Sequence, residues 1–267
     1  VNNFIQKTKK RLHLASPDKS ITSELSNFLV ETNQKTEKLP LVYKRLFELK
    51  QLDEANLFMG RKTELNNLNR AYKDWTNGNY AATIIHGENG SGKSSLQSYF
   101  ASTIKSNYKI IQFKTEHFFH TEQDFFELIS KILNQSFTNH EQLHEYITNL
   151  RQKYILIIDG LERLFIRKLY GNTCLHELLD FIIKTNQHFF WILTCSENAF
   201  NYLNKIYKLS DYFDYNLKIQ SLSEDEILNI ILKRNRLSGY NIIFEPSEKD
   251  KTKKFNMLST ETQQKQL

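Results

Sequence analysis

Leu65, Leu68, Tyr72 and Trp75 recur at the three- and four-residue steps of a helix, and Gly78 follows them as a stop. Beyond Gly78 the chain alternates between short apolar runs and amphipathic stretches. The apolar runs 81–86, 109–115, 154–159 and 189–195 read as strands, with 215–220 as a weaker fifth. Between them, the spacing predicts a helix over Lys93–Ile104. A second is predicted behind Thr121, with Phe125, Leu128, Ile129, Ile132 and Leu133 on one face. A third has Leu143, Ile147 and Leu150 inward, and a fourth runs near Leu175–Ile183. A last helix opens at Ser223, three residues before Glu226, with Leu222 and Ile227 at the staple positions; Gly239 closes it. The run 154–159, YILIID, is apolar almost throughout, as a strand covered on both faces requires. Strands separated by helices imply right-handed crossovers and a parallel sheet between helical layers.

Ahead of this block the pattern weakens. Residues 1–20 carry no period and read as a basic arm. Ile21–Glu31 and Leu41–Leu49 suggest two short helices punctuated by Pro40. Three parts are expected: 1–54, a basic arm and helical segment; 55–221, an α/β core; and 222–267, the start of a helical lid and a polar basic tail. There is no internal repeat. The chain starts at Val1 and ends in STETQQKQL, so a piece of a longer protein is expected.

Composition narrows the picture modestly. The 267 residues are 40% hydrophobic and 25% charged, ordinary for a globular chain. The longest apolar runs are strand-sized, well short of the roughly 18 residues a membrane span needs. Two cysteines, Cys174 and Cys195, give no disulfide framework, and with no signal peptide in evidence the expected location is cytoplasmic. The net charge is +6, concentrated in lysines near both termini. Solvated tails explain that excess; contact with nucleic acid or anionic lipid is the sharper alternative.

The chemistry concentrates at residues 84–95, IIHGENGSGKSS. Gly87-x4-Gly92-Lys93-Ser94 satisfies the phosphate-loop pattern in the required context, with a strand before and a helix after. Gly87, Glu88, Asn89, Gly90, Ser91 and Gly92 would curl backbone N–H groups around phosphate oxygens, and the helix starting at Lys93 adds its dipole. Lys93 would reach the terminal phosphates. Ser94 would bind Mg²⁺, with Ser95 beside it. Such a loop needs a carboxylate at another strand end, and Asp159 stands there. Glu162, three residues on, is placed to hold an attacking water, or is a surface acid starting a helix. Thr194 and Ser196, at the tip of the fourth strand, are candidates to sense a γ-phosphate; Ser196 serves equally as an N-cap.

In this order MGRKTEL, HGENGSGKSS, IIDGLER and WILTCS resemble the AAA+/STAND group of P-loop ATPases over about residues 55–240. The resemblance implies ATP with Mg²⁺, a three-layer P-loop NTPase fold and a five-stranded sheet in the order 5-1-4-3-2. It places Gly60 and Arg61 of the GR-x-x-EL element near adenine. Asp159-Gly160-Leu161-Glu162 is similar to the Walker B form of NACHT-type ATPases, with Gly160 where AAA+ motors carry a second acid. Motors also carry an arginine finger, yet no arginine occurs from Gly171 to Lys233. Lys205 and Lys208 are the nearest cations, and Arg234 and Arg236 are candidates to reach the nucleotide from a lid or are solvated charges. A finger contributes about 10³–10⁵ in rate, so slow hydrolysis and a switch are expected.

HEQLH (140–144) matches a zinc-protease signature, but its histidines start a polar helix and its nearest downstream acids are already assigned, so it is read as a decoy. His117 and His120 read as surface or strand-edge residues. Three functions are weighed. The first is an ATPase switch that self-associates or acts through a protein partner, as in signalling and antiviral defence. The others are an AAA+ ATPase on nucleic acid and a nucleotide-bound scaffold without hydrolysis.

Overall fold

A computed structural model describes residues 39–47, 58–104, 107–168 and 170–240, together with Val30 and Glu37. The expected basic arm, the helix over Ile21–Glu31 apart from Val30, and the lysine-rich tail lie outside the described residues. Those described fall into two compact units, 58–233 and a smaller one of 39–47 with 234–240.

In the smaller unit, α1 (Leu41–Leu46) starts directly after Pro40, whose fixed φ suits a helix entrance. Its Tyr43 stacks on Phe47, and the Arg234 guanidinium lies 6.0 Å from the Phe47 ring. Burial holds that guanidinium below its ordinary pKa.

The larger unit runs α2 (Lys62–Thr76), β1 (Thr83–Gly87), α3 (Lys93–Thr103), β2 (Lys109–Lys114), α4 (Glu122–Leu133) and α5 (His140–Thr148). It continues with β3 (Tyr154–Asp159), a 3-10 turn (Leu161–Arg163), α6 (Thr173–Thr185), β4 (Phe189–Ser196), α7 (Glu197–Tyr207), β5 (Tyr215–Ile219) and the start of α8 (Glu224–Ser238). All four strand pairings are parallel, in the order β2-β3-β4-β1-β5. That is the expected 5-1-4-3-2 order read from the other edge. In this unit helix and strand ends differ from the sequence expectation by one or two residues, while α1 ends at Leu46, three residues before the expected Leu49.

Alternation along the strands sorts two cores. Ile84, Leu156, Ile158, Trp191 and Leu193 face one side, under Phe125, Ile129, Leu178, Ile182 and Leu203 of α4, α6 and α7. Ile85, Ile155, Ile157, Phe190 and Ile192 face the other, under Leu68 and Trp75 of α2 and Leu96 and Phe100 of α3. Each fully buried side chain of this size contributes about 1.5–3 kcal/mol, so the central strands are the best-anchored part of the molecule. The predicted caps form. Thr121 Oγ accepts from the Asp124 N–H at 3.1 Å, while the Asp124 carboxylate accepts from Thr121 N–H at 2.9 Å. Ser223 and Glu226 make the same reciprocal pair at α8. The staple there buries little, since Ile227 stays 45% exposed.

Candidate functional site

The site is built where β1, β3 and β4 end side by side. Register aligns His86 with Cys195 and Gly87 with Ser196, so the loop after β1 lies beside the tip of β4. Gly87 is needed for close approach: a Cβ there would stand 2.7 Å from the Ile219 carbonyl oxygen of β5. Glu88, Asn89 and Gly90 form the exposed crest, and Ser91, Gly92, Lys93, Ser94 and Ser95 return half-buried into α3. Gly92 caps α3 with φ 92°. The Lys93 ammonium curls back over the loop, donating to the carbonyls of Gly87 at 2.9 Å and Glu88 at 2.8 Å. Ser91 Oγ is buried there with no hydrogen-bond partner among the described residues.

Opposite the loop stands Asp159. Its Oδ2 accepts from the Ser94 hydroxyl at 2.8 Å, and its Oδ1 accepts from the Thr194 hydroxyl. Thr194 Oγ in turn accepts from Gly160 N–H at 3.1 Å. Glu162 Oε2 accepts from the backbone N–H of Ser196 at 3.1 Å. The expected residues Lys93, Ser94, Asp159, Glu162, Thr194 and Ser196 therefore converge on one strand-end cleft. Ser196 enters through its backbone; its hydroxyl makes no cap to α7. Gly160 also has a physical reason: its φ is +99°, and a Cβ would collide with Thr115 Oγ1. An acid at this position would be strained and would displace the Thr115 hydroxyl, and Glu162 is the carboxylate nearest Asp159 in sequence.

Several contacts were not legible in advance. Arg61 is 9% exposed and clamps the loop. It donates to Ser91 O at 2.9 Å, to Gln220 O just beyond β5 at 2.6 Å, and to Glu64 Oε1 at 3.2 Å. Its guanidinium is thus engaged by backbone rather than held open toward a base. Gly60, beside it, lies against Glu226 and Leu222 at the start of α8. Thr115, one residue past β2, donates to the carbonyls of Asp159 and Gly160 at 2.8 and 2.7 Å and braces that turn. A polar residue closing the run KIIQFKT was the available signal. Below the loop, His86 Nδ1 meets Glu197 Oε2 at 2.7 Å and its ring stacks on Phe200 at 3.8 Å. Lys218 donates to Glu197 Oε1 at 2.8 Å. Lys218 foremost, and His86 with it, holds the Glu197 carboxyl below the usual range against the opposing push of burial. Burial, reinforced by Glu162, drives the Cys195 thiol far above its ordinary value.

His140 sits 3.6 Å from Glu122 and 3.5 Å from Glu177 on an open surface, and no group of three potential metal ligands occurs among the described residues. His120 meets Asp124 at 3.3 Å and Lys168 at 3.0 Å. No described helix is long and apolar enough to cross a membrane.

The family model for the NACHT domain matches residues 81–237, more than half of the chain and all of the strands above. The chain belongs to the NACHT family. NACHT domains are P-loop NTPases of the AAA+/STAND type, and the solved structures this chain resembles carry the same fold. The Walker-type ATPase PABY2304 of Pyrococcus abyssi superposes with a TM-score of 0.53 at 17% identity, over 74% of this chain and 64% of that one. The Aeropyrum pernix ORC1 protein in complex with DNA gives 0.52 at 16% identity, over 73% and 53%. Cdc6p from Pyrobaculum aerophilum gives 0.52 at 13%, over 73% and 53%. The NACHT chain spans about half to two-thirds of these structures' length. No protein of curated function matches its sequence.

Proposed function

We propose that this NACHT domain binds ATP with Mg²⁺ and hydrolyses it slowly, as the switch of a larger protein in signalling or antiviral defence. The observation that carries the reading is the convergence of Ser94, Asp159, Thr194 and Glu162 opposite a loop over which Lys93 is folded. Ser94 and Asp159, already 2.8 Å apart, are the hard oxygen donors that would hold Mg²⁺. The unpartnered Ser91 Oγ and the inward-turned Lys93 fit a loop built to meet phosphate oxygens. A bound Mg²⁺ supplies neutralisation of phosphate charge.

The chain's own groups divide the remaining work. Lys93 exchanges two neutral carbonyls for terminal phosphate oxygens, a stronger charge-assisted pairing. Glu162, aimed by the Ser196 N–H, accepts the proton of an attacking water. Because that N–H belongs to the tip of β4, any shift of the tip reorients the base, which suits a switch. Slow turnover follows from the arginines. Arg163 and Arg167 lie over Phe118 and Tyr202, Arg61 is held by the loop, and no arginine occurs from Gly171 to Lys233, where motors carry their finger. Gly60 and the backbone at Arg61 would lie near the base, favouring ATP over GTP.

The test is calorimetry with ATP and Mg²⁺. Lys93→Ala is expected to abolish tight binding, and the wild-type domain to prefer ATP to GTP. Unchanged ATP affinity in Lys93→Ala would remove the phosphate loop from the account.

A further inference from the structure

The sheet has a second end, and it is basic. Away from the phosphate loop, at the start of β2 and β3, Lys109 lies in register with Tyr154. The segment entering β3 adds Arg151 and Lys153 beside them. Two open concavities meet here. One, of about 570 Å³, is lined by Tyr108, Lys109, Arg151 and Lys153. The other, of about 830 Å³, runs past Phe137, Tyr146, Asn149 and Tyr154. Arg151 and Gln152 line both, so the two form one trough.

Its charges are uncompensated. Lys109 and Arg151 are exposed, and neither they nor Lys153 makes an ion pair among the described residues. Lys153 instead lies 5.1 Å from the Trp75 ring. Glu145 is the one carboxylate in the lining of either concavity. Beside the cations the trough offers two half-buried rings and exposed amides: Tyr146 meets the buried Phe137 edge-on at 5.2 Å, and Tyr154 lies 6.0 Å from the buried Phe189. Three cations gathered at one end of an open groove, with amides and rings continuing along it, suit a chain of negative charges rather than one small anion, which needs converging donors. An acidic peptide would satisfy the cations but make little use of the rings. Phosphodiester strands use both, with phosphates tracked by Lys and Arg and bases set on aromatic faces.

We infer that this trough binds single-stranded nucleic acid, at a site separate from the phosphate loop. The inference does not depend on ATP binding. It is tested by fluorescence anisotropy on the full chain with labelled 20-nucleotide oligouridylate and oligothymidylate, titrated at several salt concentrations. Each phosphate contact on a single strand adds about 0.7 to the salt slope and about five-fold in affinity at 0.1 M salt. Lys109→Ala with Arg151→Ala is therefore expected to weaken binding about 25-fold and flatten the slope by about 1.4. Both side chains are exposed, so the double variant retains the fold, checked by its melting curve. Tyr146→Leu is expected to weaken binding with the slope unchanged, the mark of lost stacking. A control in which Lys249, Lys251, Lys253 and Lys254 become Gln is expected to retain the Arg151 dependence. The inference is overturned if the wild type does not bind, or if the double variant binds as the wild type does, leaving the tails as the source. It is overturned too if polyglutamate or a duplex of equal length competes as well as the single strand.

Discussion

At the scale of single residues, Arg61 carries more of the site than its motif implies. One planar guanidinium holds the phosphate loop to the exit of β5 through two backbone carbonyls 129 residues apart in sequence, Ser91 and Gln220. Arg61→Ala leaves both carbonyls unpaired and is expected to cost about 2–4 kcal/mol of stability in denaturant unfolding. Arg61→Lys keeps the charge but reaches one carbonyl at a time, so it should recover less than half of that loss. Full recovery by lysine would mean that the charge, and not the fork, holds the loop.

Elements show what a sequence can and cannot declare. α4 announces itself: Thr121 and the Phe125–Ile132 face were legible, and Asp124 completes a capping box with Thr121 in the folded chain. Thr121→Ala is expected to cost about 1 kcal/mol. Burial pushes the Asp124 carboxyl upward, but the N–H groups of His120 and Thr121 and the Thr121 hydroxyl outweigh it and hold its pKa below the ordinary value. A depressed carboxylate stabilises fully above its unfolded pKa of about 3.9 and loses that contribution as pH falls through the folded value. The wild-type advantage over Thr121→Ala in thermal melts should therefore be constant from pH 7 to about 5 and shrink below about pH 4. An advantage that grows on acidification would contradict the capping account. The phosphate loop and Asp159 were legible for the same reason as α4, as local patterns in a fixed context, and the strand order followed from the family resemblance that those motifs carry. Arg61's clamp, Thr115's brace and the His86–Glu197–Lys218 cluster were not, because each joins residues from separate strands or loops. Only the register of the folded sheet sets His86 beside Cys195 and so brings Glu197 within reach. Gly160 was legible as a missing acid, but its cause, the hydroxyl of Thr115, lies just past the end of another strand.

Across the molecule, the sheet is shielded by helices on both faces, and its two thiols report on that shielding. Cys174 and Cys195 are fully buried. Burial pushes Cys174 up to about 12, with Asp124 and Glu177 adding to it, and drives Cys195 higher still. Thiolate is the reactive form, so neither should be alkylated by iodoacetamide at pH 8 until the domain unfolds, and both should then react together. Labelling of either cysteine in the native chain would show that the sheet opens locally at β4 or α6. ATP with Mg²⁺ is expected to delay that labelling, since a ligand at 100 times its dissociation constant stabilises the folded state by about 2.7 kcal/mol.

With Glu162 as the proposed base and no arginine from Gly171 to Lys233 to serve as a finger, the NACHT domain is expected to hydrolyse ATP slowly. Single-turnover hydrolysis by the wild type and by Glu162→Gln, alongside ATP binding by each, tests it most directly. Glu162→Gln keeps the Ser196 contact and loses only basicity, so it should bind ATP as the wild type does and hold it unhydrolysed. The wild type should turn over well below the roughly 1–10³ s⁻¹ typical of enzymes. Hydrolysis by Glu162→Gln at the wild-type rate would contradict the assignment of the base, and rapid turnover by the monomeric wild type would contradict the switch.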